Sequence, residues 1–173
     1  PEDVAVFERV MRTNVVGLAA TFQPFIAPMR AARRGRLAGI SSVAGMRGLP
    51  GAGAYSASKA AAITYLEALR IELRPSGVKV VTVCPGYVAT PMTAVNKYRM
   101  PFILPADVAA RRIARVIDAG RRYAVVPWQM ALVARAMKLL PVDEARARML
   151  AEIAALPGEM IPLAQSIGRV LAE

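Results

Sequence analysis

Tyr55 and Lys59 stand four residues apart in the run Tyr55-Ser56-Ala57-Ser58-Lys59, which continues into three alanines. The alanines, with Leu66, Leu69 and Leu73 beyond them, predict a helix. On a helix, residues at i and i+4 share a face, so a phenol and an ammonium project together. A neighbouring positive charge favours the phenolate, which suits a tyrosine to acid–base work near neutral pH. The pair alone recurs by chance on many helices. It means chemistry only if other residues converge on it.

The rest of the chain narrows what that chemistry can be. There is no histidine, which excludes Ser-His-Asp and Cys-His catalysis and every His-based zinc site. Cys84 is the only cysteine, so there is neither an intramolecular disulfide nor a thiolate metal cluster, and no metal site is expected. It closes an apolar run and reads as a small core residue. Acid–base work falls to Tyr, Lys, Asp or Glu. Ser56-x-x-Lys59 matches the S-x-x-K of serine acyl-transferring enzymes, but the S-D-N and K-T-G partners of that motif are missing.

The elements that would hold Tyr55 and Lys59 follow from periodicity and punctuation. A helix is predicted over 3–33, with Val6, Val10, Val15, Leu18, Phe22, Phe25 and Ile26 at helical spacing apart from slips. Gly35 ends it. A strand follows over 36–42, a glycine-rich loop over 45–53, and the Tyr55 helix over 55–74, stopped by Pro75 and Gly77. The β-branched run 78–84 reads as a strand buried on both faces, closed by Pro85-Gly86. A loop over 90–105, a helix over 107–119 and a strand over 123–126 come next. Helices over 128–140, 143–156 and 161–171 are punctuated by Pro127, Pro141, Pro157 and Pro162. Alternating strands and helices predict an α/β fold with a parallel sheet and right-handed crossovers. At 173 residues this is one domain, with 1–126 as core and 127–173 as a helical extension.

Bulk properties exclude other functions. The net charge of +11 comes from scattered arginines, and no aromatic residues interleave with them as a nucleic-acid platform requires. The uncharged stretch between Arg12 and Arg30 carries Asn14, Gln23, Pro24 and Pro28, and falls short of a membrane span. No signal-peptide pattern opens the sequence, so a cytoplasmic location is expected.

Function in an open parallel sheet gathers outside the carboxyl ends of its strands. Ser42 and Pro85-Gly86 both fall at such ends, and the loop after Ser42 returns the chain to Tyr55. A hydroxyl, a phenol, an ammonium and a turn are thus expected around one crevice. Ile40-Ser41-Ser42-Val43-Ala44-Gly45, Tyr55-x-x-x-Lys59, Cys84-Pro85-Gly86-Tyr87-Val88-Ala89-Thr90 and Asn14 within Arg12–Gly17 together resemble the short-chain dehydrogenase/reductase family. The likeness is close over 7–91 and looser to Val126.

That resemblance implies a Rossmann-like, doubly wound sheet and an oxidoreductase interconverting a carbonyl and an alcohol with NAD or NADP. It implies Tyr55 as general acid–base, Lys59 as the cation that assists it and holds the nicotinamide ribose, and Ser42 as the group orienting the substrate oxygen. Asn14 would hold a water leading from Lys59 to solvent. Val88 and Thr90 would meet the nicotinamide carboxamide after the cofactor-binding turn Pro85-Gly86. It also implies a homo-oligomer packed through the Asn14 and Tyr55 helices. The family's opening strand, glycine-rich turn and helix, which cradle the pyrophosphate, have no counterpart before Asn14. The chain therefore resembles the C-terminal catalytic half of that domain. Expressed alone it is expected to be inert and prone to aggregate through a bare strand edge. The alternative reading is a non-catalytic remnant without cofactor binding. Gly39 departs from the asparagine common in that strand, which is expected to affect packing more than chemistry.

Two further surfaces are legible. The loop Pro91 to Leu104, rich in Met, Phe and Ile, reads as an apolar substrate lid, with Leu49 and Pro50 opposite, and suggests a lipophilic substrate. Trp128, Leu132, Val133, Ala136, Leu139 and Leu140 form an apolar face beside Arg135 and Lys138. Covering the core or a subunit neighbour is its expected task; peripheral contact with a membrane over 128–140 is the alternative.

Overall fold

Asp3 opens the first helix by accepting a hydrogen bond from the Ala5 N–H at 3.0 Å, as a capping carboxylate does. The computed structural model describes residues 3–96 and 99–139. Helix α1 (Val4–Met11) passes through a π-helical turn (Arg12–Val16) into α2 (Gly17–Ala31). The expected single helix over 3–33 is thus interrupted. Successive apolar positions Val10 and Val15 lie five apart, the spacing of a π turn, and the backbone follows them.

Strand β1 (Arg36–Ile40) leads through a short 3₁₀ turn (Val43–Gly45) to α3 (Gly53–Leu73). Strand β2 (Lys79–Pro85) follows, then a parallel pair of two-residue strands, β3 (Val88–Ala89) and β4 (Leu104–Pro105), with α4 (Pro91–Ala94) between them. Helix α5 (Ala106–Asp118), β5 (Tyr123–Val126) and α6 (Gln129–Leu139) complete the described chain. The main sheet has the order β1-β2-β5, all parallel. The expected α/β class with a parallel sheet is what forms.

Two apolar clusters lie on opposite faces of this sheet. One joins Leu37 and Val80 to Leu66, Leu69 and Leu73 of α3 and Phe22 of α2. The other joins Val81, Val83 and Val126 to Ile113, Val116 and Ile117 of α5. The central strand β2 is therefore buried on both faces, which its unbroken β-branched sequence requires. Leu66 is fully buried, a contribution of roughly 2 kcal/mol from burial alone. A Cβ on Gly39 would lie 2.5 Å from the Leu66 Cδ1, so glycine at that position is a packing requirement. Strand β1 pairs only with β2 among the described residues.

Three boundaries near the carboxyl end of the sheet bear on the site, while β2, α5 and α6 shift by a residue from expectation. Strand β1 stops at Ile40, not Ser42: the Ser42 hydroxyl captures the Ala44 N–H at 3.1 Å and turns the chain out of the sheet. The segment 90–105 is not wholly loop, because Thr90 and Thr93 cap each other and nucleate α4. Helix α3 starts at Gly53, two residues before Tyr55. The expected helices over 143–156 and 161–171, and Tyr98 and Leu140, lie outside the described residues. Among the described residues no helix is long and apolar enough to cross a membrane.

Candidate functional site

Tyr55 and Lys59 lie in the first two turns of α3, where that helix passes the carboxyl end of β1. The Lys59 ammonium sits 5.6 Å from the centre of the Tyr55 ring. It donates to the Ile40 carbonyl at 3.1 Å, the last residue of β1. Burial lowers the Lys59 pKa from its ordinary 10.5, opposed in part by the nearby Cys84. Tyr55 is 40% exposed, and among the described residues its hydroxyl has no partner. One donor of the ammonium is engaged, by the Ile40 carbonyl.

A close approach of backbone to backbone fixes the distance between β1 and α3. Gly45 ends the 3₁₀ turn against α3, and a Cβ there would lie 2.6 Å from the Lys59 carbonyl carbon. Ser41, 3% exposed, donates through its hydroxyl to the Lys59 carbonyl at 2.7 Å. Both residues position Lys59 from behind. The sequence reading quoted them only as parts of a motif; the small side chains on either side of Ser42 are the signal that the backbone approaches closely there.

Asn14 lies in the π turn and reaches α3. Its amide donates to the Ser58 hydroxyl at 2.9 Å, and that hydroxyl donates to the Tyr55 carbonyl at 2.8 Å. The structure thus brings Asn14 to α3, through Ser58 and not directly to Lys59. Ser58 is fully buried, and sequence reasoning did not single it out. A serine between alanines on a helical face that also carries Leu66 and Leu69 was its only trace.

Ser42 is buried, and its hydroxyl oxygen is engaged by Ala44 N–H. It bonds neither Tyr55 nor Lys59. Pro85 and Gly86 leave β2 beside β5, where the Gly86 N–H donates to the Val126 carbonyl at 2.8 Å. Val88 and Thr90 follow on the β3–α4 turn and are tied together by Thr93, whose hydroxyl donates to the Val88 carbonyl at 2.6 Å while receiving the Thr90 N–H at 3.0 Å. Cys84 is fully buried and donates to the Tyr123 hydroxyl at 3.3 Å. Burial raises its pKa above the ordinary 9.0, which makes it a core thiol and not a nucleophile. Among the described residues no cluster of three or more His, Cys, Asp or Glu could hold a metal.

A family model described as short chain dehydrogenase matches residues 2–100. An uncharacterized oxidoreductase of Myxococcus xanthus is 42% identical over 132 residues, covering 76% of this chain and 52% of that protein. A cyclopentanol dehydrogenase of a Comamonas species is 35% identical over 139 residues, covering 80% of this chain and 51% of the other. The chain spans about half the length of these curated relatives. In fold it resembles a short chain dehydrogenase from Burkholderia cenocepacia solved with NADP, with a TM-score of 0.70 and 22% identity over 88% of this chain and 63% of that one.

Proposed function

The chain belongs to the short-chain dehydrogenase family, and from that premise we propose that it forms the catalytic part of an oxidoreductase interconverting a carbonyl and an alcohol with NAD or NADP. One observation carries this reading. Tyr55 and Lys59 stand side by side at the end of β1, locked from behind and with hydrogen-bonding capacity directed outward. A ribose diol and a substrate oxygen are the groups that such a phenol and ammonium suit.

Bound there, the nicotinamide would supply or accept the hydride. The protein's own residues handle the proton and the geometry. Tyr55 gives a proton from its phenol oxygen to the substrate oxygen in reduction and takes one in oxidation. Lys59 keeps a positive charge beside the phenol as that proton leaves, and its unused donors hold the ribose hydroxyls. Ser42, next to Ser41 and the turn, offers its hydroxyl proton to the substrate oxygen while its oxygen remains the cap of Ala44. The Asn14–Ser58 link holds the Tyr55 turn of α3 against the π turn. Pro85, Gly86, Val88 and Thr90 supply the backbone wall against which the carboxamide rests.

The substrate side supports a lipophilic partner. Met92, Val95, Phe102 and Ile103 are 68%, 60%, 50% and 41% exposed, so the segment beyond Thr90 presents apolar side chains outward instead of packing them on the core. Exposed Phe7, Val16 and Ile71 on the helices carrying Asn14 and Tyr55 support pairing of two copies through those helices.

The test is turnover of a long-chain and a short polar ketone by the protein carrying this chain, followed through loss of NADH or NADPH. Tyr55→Phe is expected to lower kcat about 10²- to 10⁴-fold with folding unchanged. Activity that survives this substitution within tenfold would overturn the assignment.

A further inference from the structure

The apolar side chains of α6 divide into two sets. Met130 and Ala134 are buried against the sheet, as a core-covering helix requires. Trp128 and Leu132, one turn apart, are 65% and 56% exposed. The face expected to cover the core or a subunit neighbour is instead turned outward at Trp128, Leu132 and Ala136, and the residues that meet the sheet, Met130 and Ala134, were not part of it. Beside the exposed pair, an open cavity of about 400 Å³ is bordered by Arg121, Tyr123, Trp128, Arg135 and Lys138. Three cations and two aromatic rings thus share one surface at the β5 edge, and no carboxylate borders the cavity. Among the described residues none of the three cations is paired with an acid; the ion pairs of this region are Arg36 with Asp118 and Arg111 with Asp107.

We propose that this surface, formed by the start of β5 and the outer face of α6, docks on an anionic lipid bilayer. Two considerations select that occupant. A Trp ring, with an apolar body and a polar tip, settles at the level of the lipid headgroups, and basic residues beside it meet the headgroup phosphates; Tyr123 adds only its ring, since its hydroxyl is held by Cys84. A second copy of the chain related by a two-fold axis would instead place Arg121, Arg135 and Lys138 against their own counterparts, cation against cation. The surface reaches the turn after β1, where Met46 borders the same cavity and Arg47 donates to the Lys138 carbonyl at 3.3 Å, so docking is read by flotation and Trp128 emission and not by turnover.

Trp128 is the only tryptophan of the chain and reports on the surface directly. The experiment is flotation of the full chain with vesicles of phosphatidylcholine alone or mixed with phosphatidylserine, in low salt; aggregated protein sediments and is not mistaken for bound protein. The chain is expected to float with the anionic vesicles only, with Trp128 emission shifting to the blue. Arg135→Glu with Lys138→Glu should lower the floated fraction about tenfold or more, since each basic residue at an anionic surface contributes roughly a fivefold gain in binding. Leu132→Glu should do the same, and 0.5 M salt should weaken binding as exposed charges are screened. Arg9→Glu, on α1 at the other edge, should change it less than about threefold.

Chain shown to be monodisperse before mixing that still stays at the bottom of the gradient with anionic vesicles overturns the proposal, as does flotation without a change in Trp128 emission or an equal loss with Arg9→Glu. So does binding of monomeric short-chain phosphatidylserine without vesicle binding, which would mark a small-ligand cavity. Self-association that Leu132→Glu abolishes would assign the surface to a second copy and overturn it likewise.

Discussion

The corner where α3 meets β1 and the segment from Thr90 to Pro105 face the same end of the sheet, yet they are built on opposite principles. At the corner, Asn14, Ser41, Ser42 and Ser58 each spend a side-chain hydrogen bond on the turn, on α3 or on one another, and Gly45 lets backbone touch backbone. Beyond Thr90, side-chain bonds gather in the first turn and Leu104 returns to the Tyr87 carbonyl through its backbone, while Met92, Val95, Phe102 and Ile103 stand in the open. Acid–base chemistry needs atoms held to fractions of an ångström, and buried hydrogen bonds provide that. Contact with an apolar substrate is non-directional and tolerates adjustment. Under the proposed function, the difference separates a part that would fix the reaction from a part that would select what undergoes it.

Substitutions at the corner should therefore cost folding stability, and those in the exposed segment should not. The largest effect is expected for Leu66→Ala, which opens a cavity under both β1 and α3; about 3 kcal/mol is lost in denaturant unfolding. Gly45→Ala should cost about 2 kcal/mol in the same measurement, because its Cβ meets the Lys59 backbone, which cannot move aside as a side chain could. A neutral Gly45→Ala would break the comparison at its firmest point. Asn14→Ala removes one buried bond to Ser58, worth about 1 kcal/mol. Phe102→Ala should change stability by less than about 0.5 kcal/mol while raising KM for an apolar ketone.

The pH dependence is smaller and sharpens the same contrast. Lys59, depressed by burial, binds fewer protons folded than unfolded as pH approaches 10.5, so its contribution makes stability rise through that alkaline window. Cys84 and Tyr123 act oppositely. Burial raises both, from 9.0 and 10.0, so the folded chain holds protons that the unfolded chain releases, and stability falls as pH climbs above 9. The two slopes oppose one another in the same alkaline window. Lys59→Met should steepen the alkaline fall, and Cys84→Ala should flatten it, in thermal unfolding followed from pH 7 to 11.

Much of this was legible in the residues. The β-branched run before Cys84 could be little else than a strand buried on both faces, and Tyr55 and Lys59 share a face because a helix leaves no other choice. The segment boundaries were less legible. Nothing in the spacing says that Ser42 would spend its oxygen on Ala44 and end β1 two residues early. The small buried serines, Ser41 and Ser58, act through hydrogen bonds, which leave no hydrophobic period to read. The exposure of Trp128 and Leu132 was hidden for a related reason: α6 is apolar on both sides, and the pattern alone does not tell which side meets the sheet.

The π turn at Arg12–Val16 has an effect that no substitution reveals. It holds one residue more than an α-helical path would need, so α1 and α2 are out of phase with one another by about 100°, the angle of a single helical residue. Asn14 reaches Ser58 from within that offset. The link to α3 thus depends on how many residues the segment contains as much as on which they are. Deleting one residue between Arg12 and Val16 could leave Asn14, Tyr55 and Lys59 all in the sequence and still rotate α1 away from the face it now presents to α3.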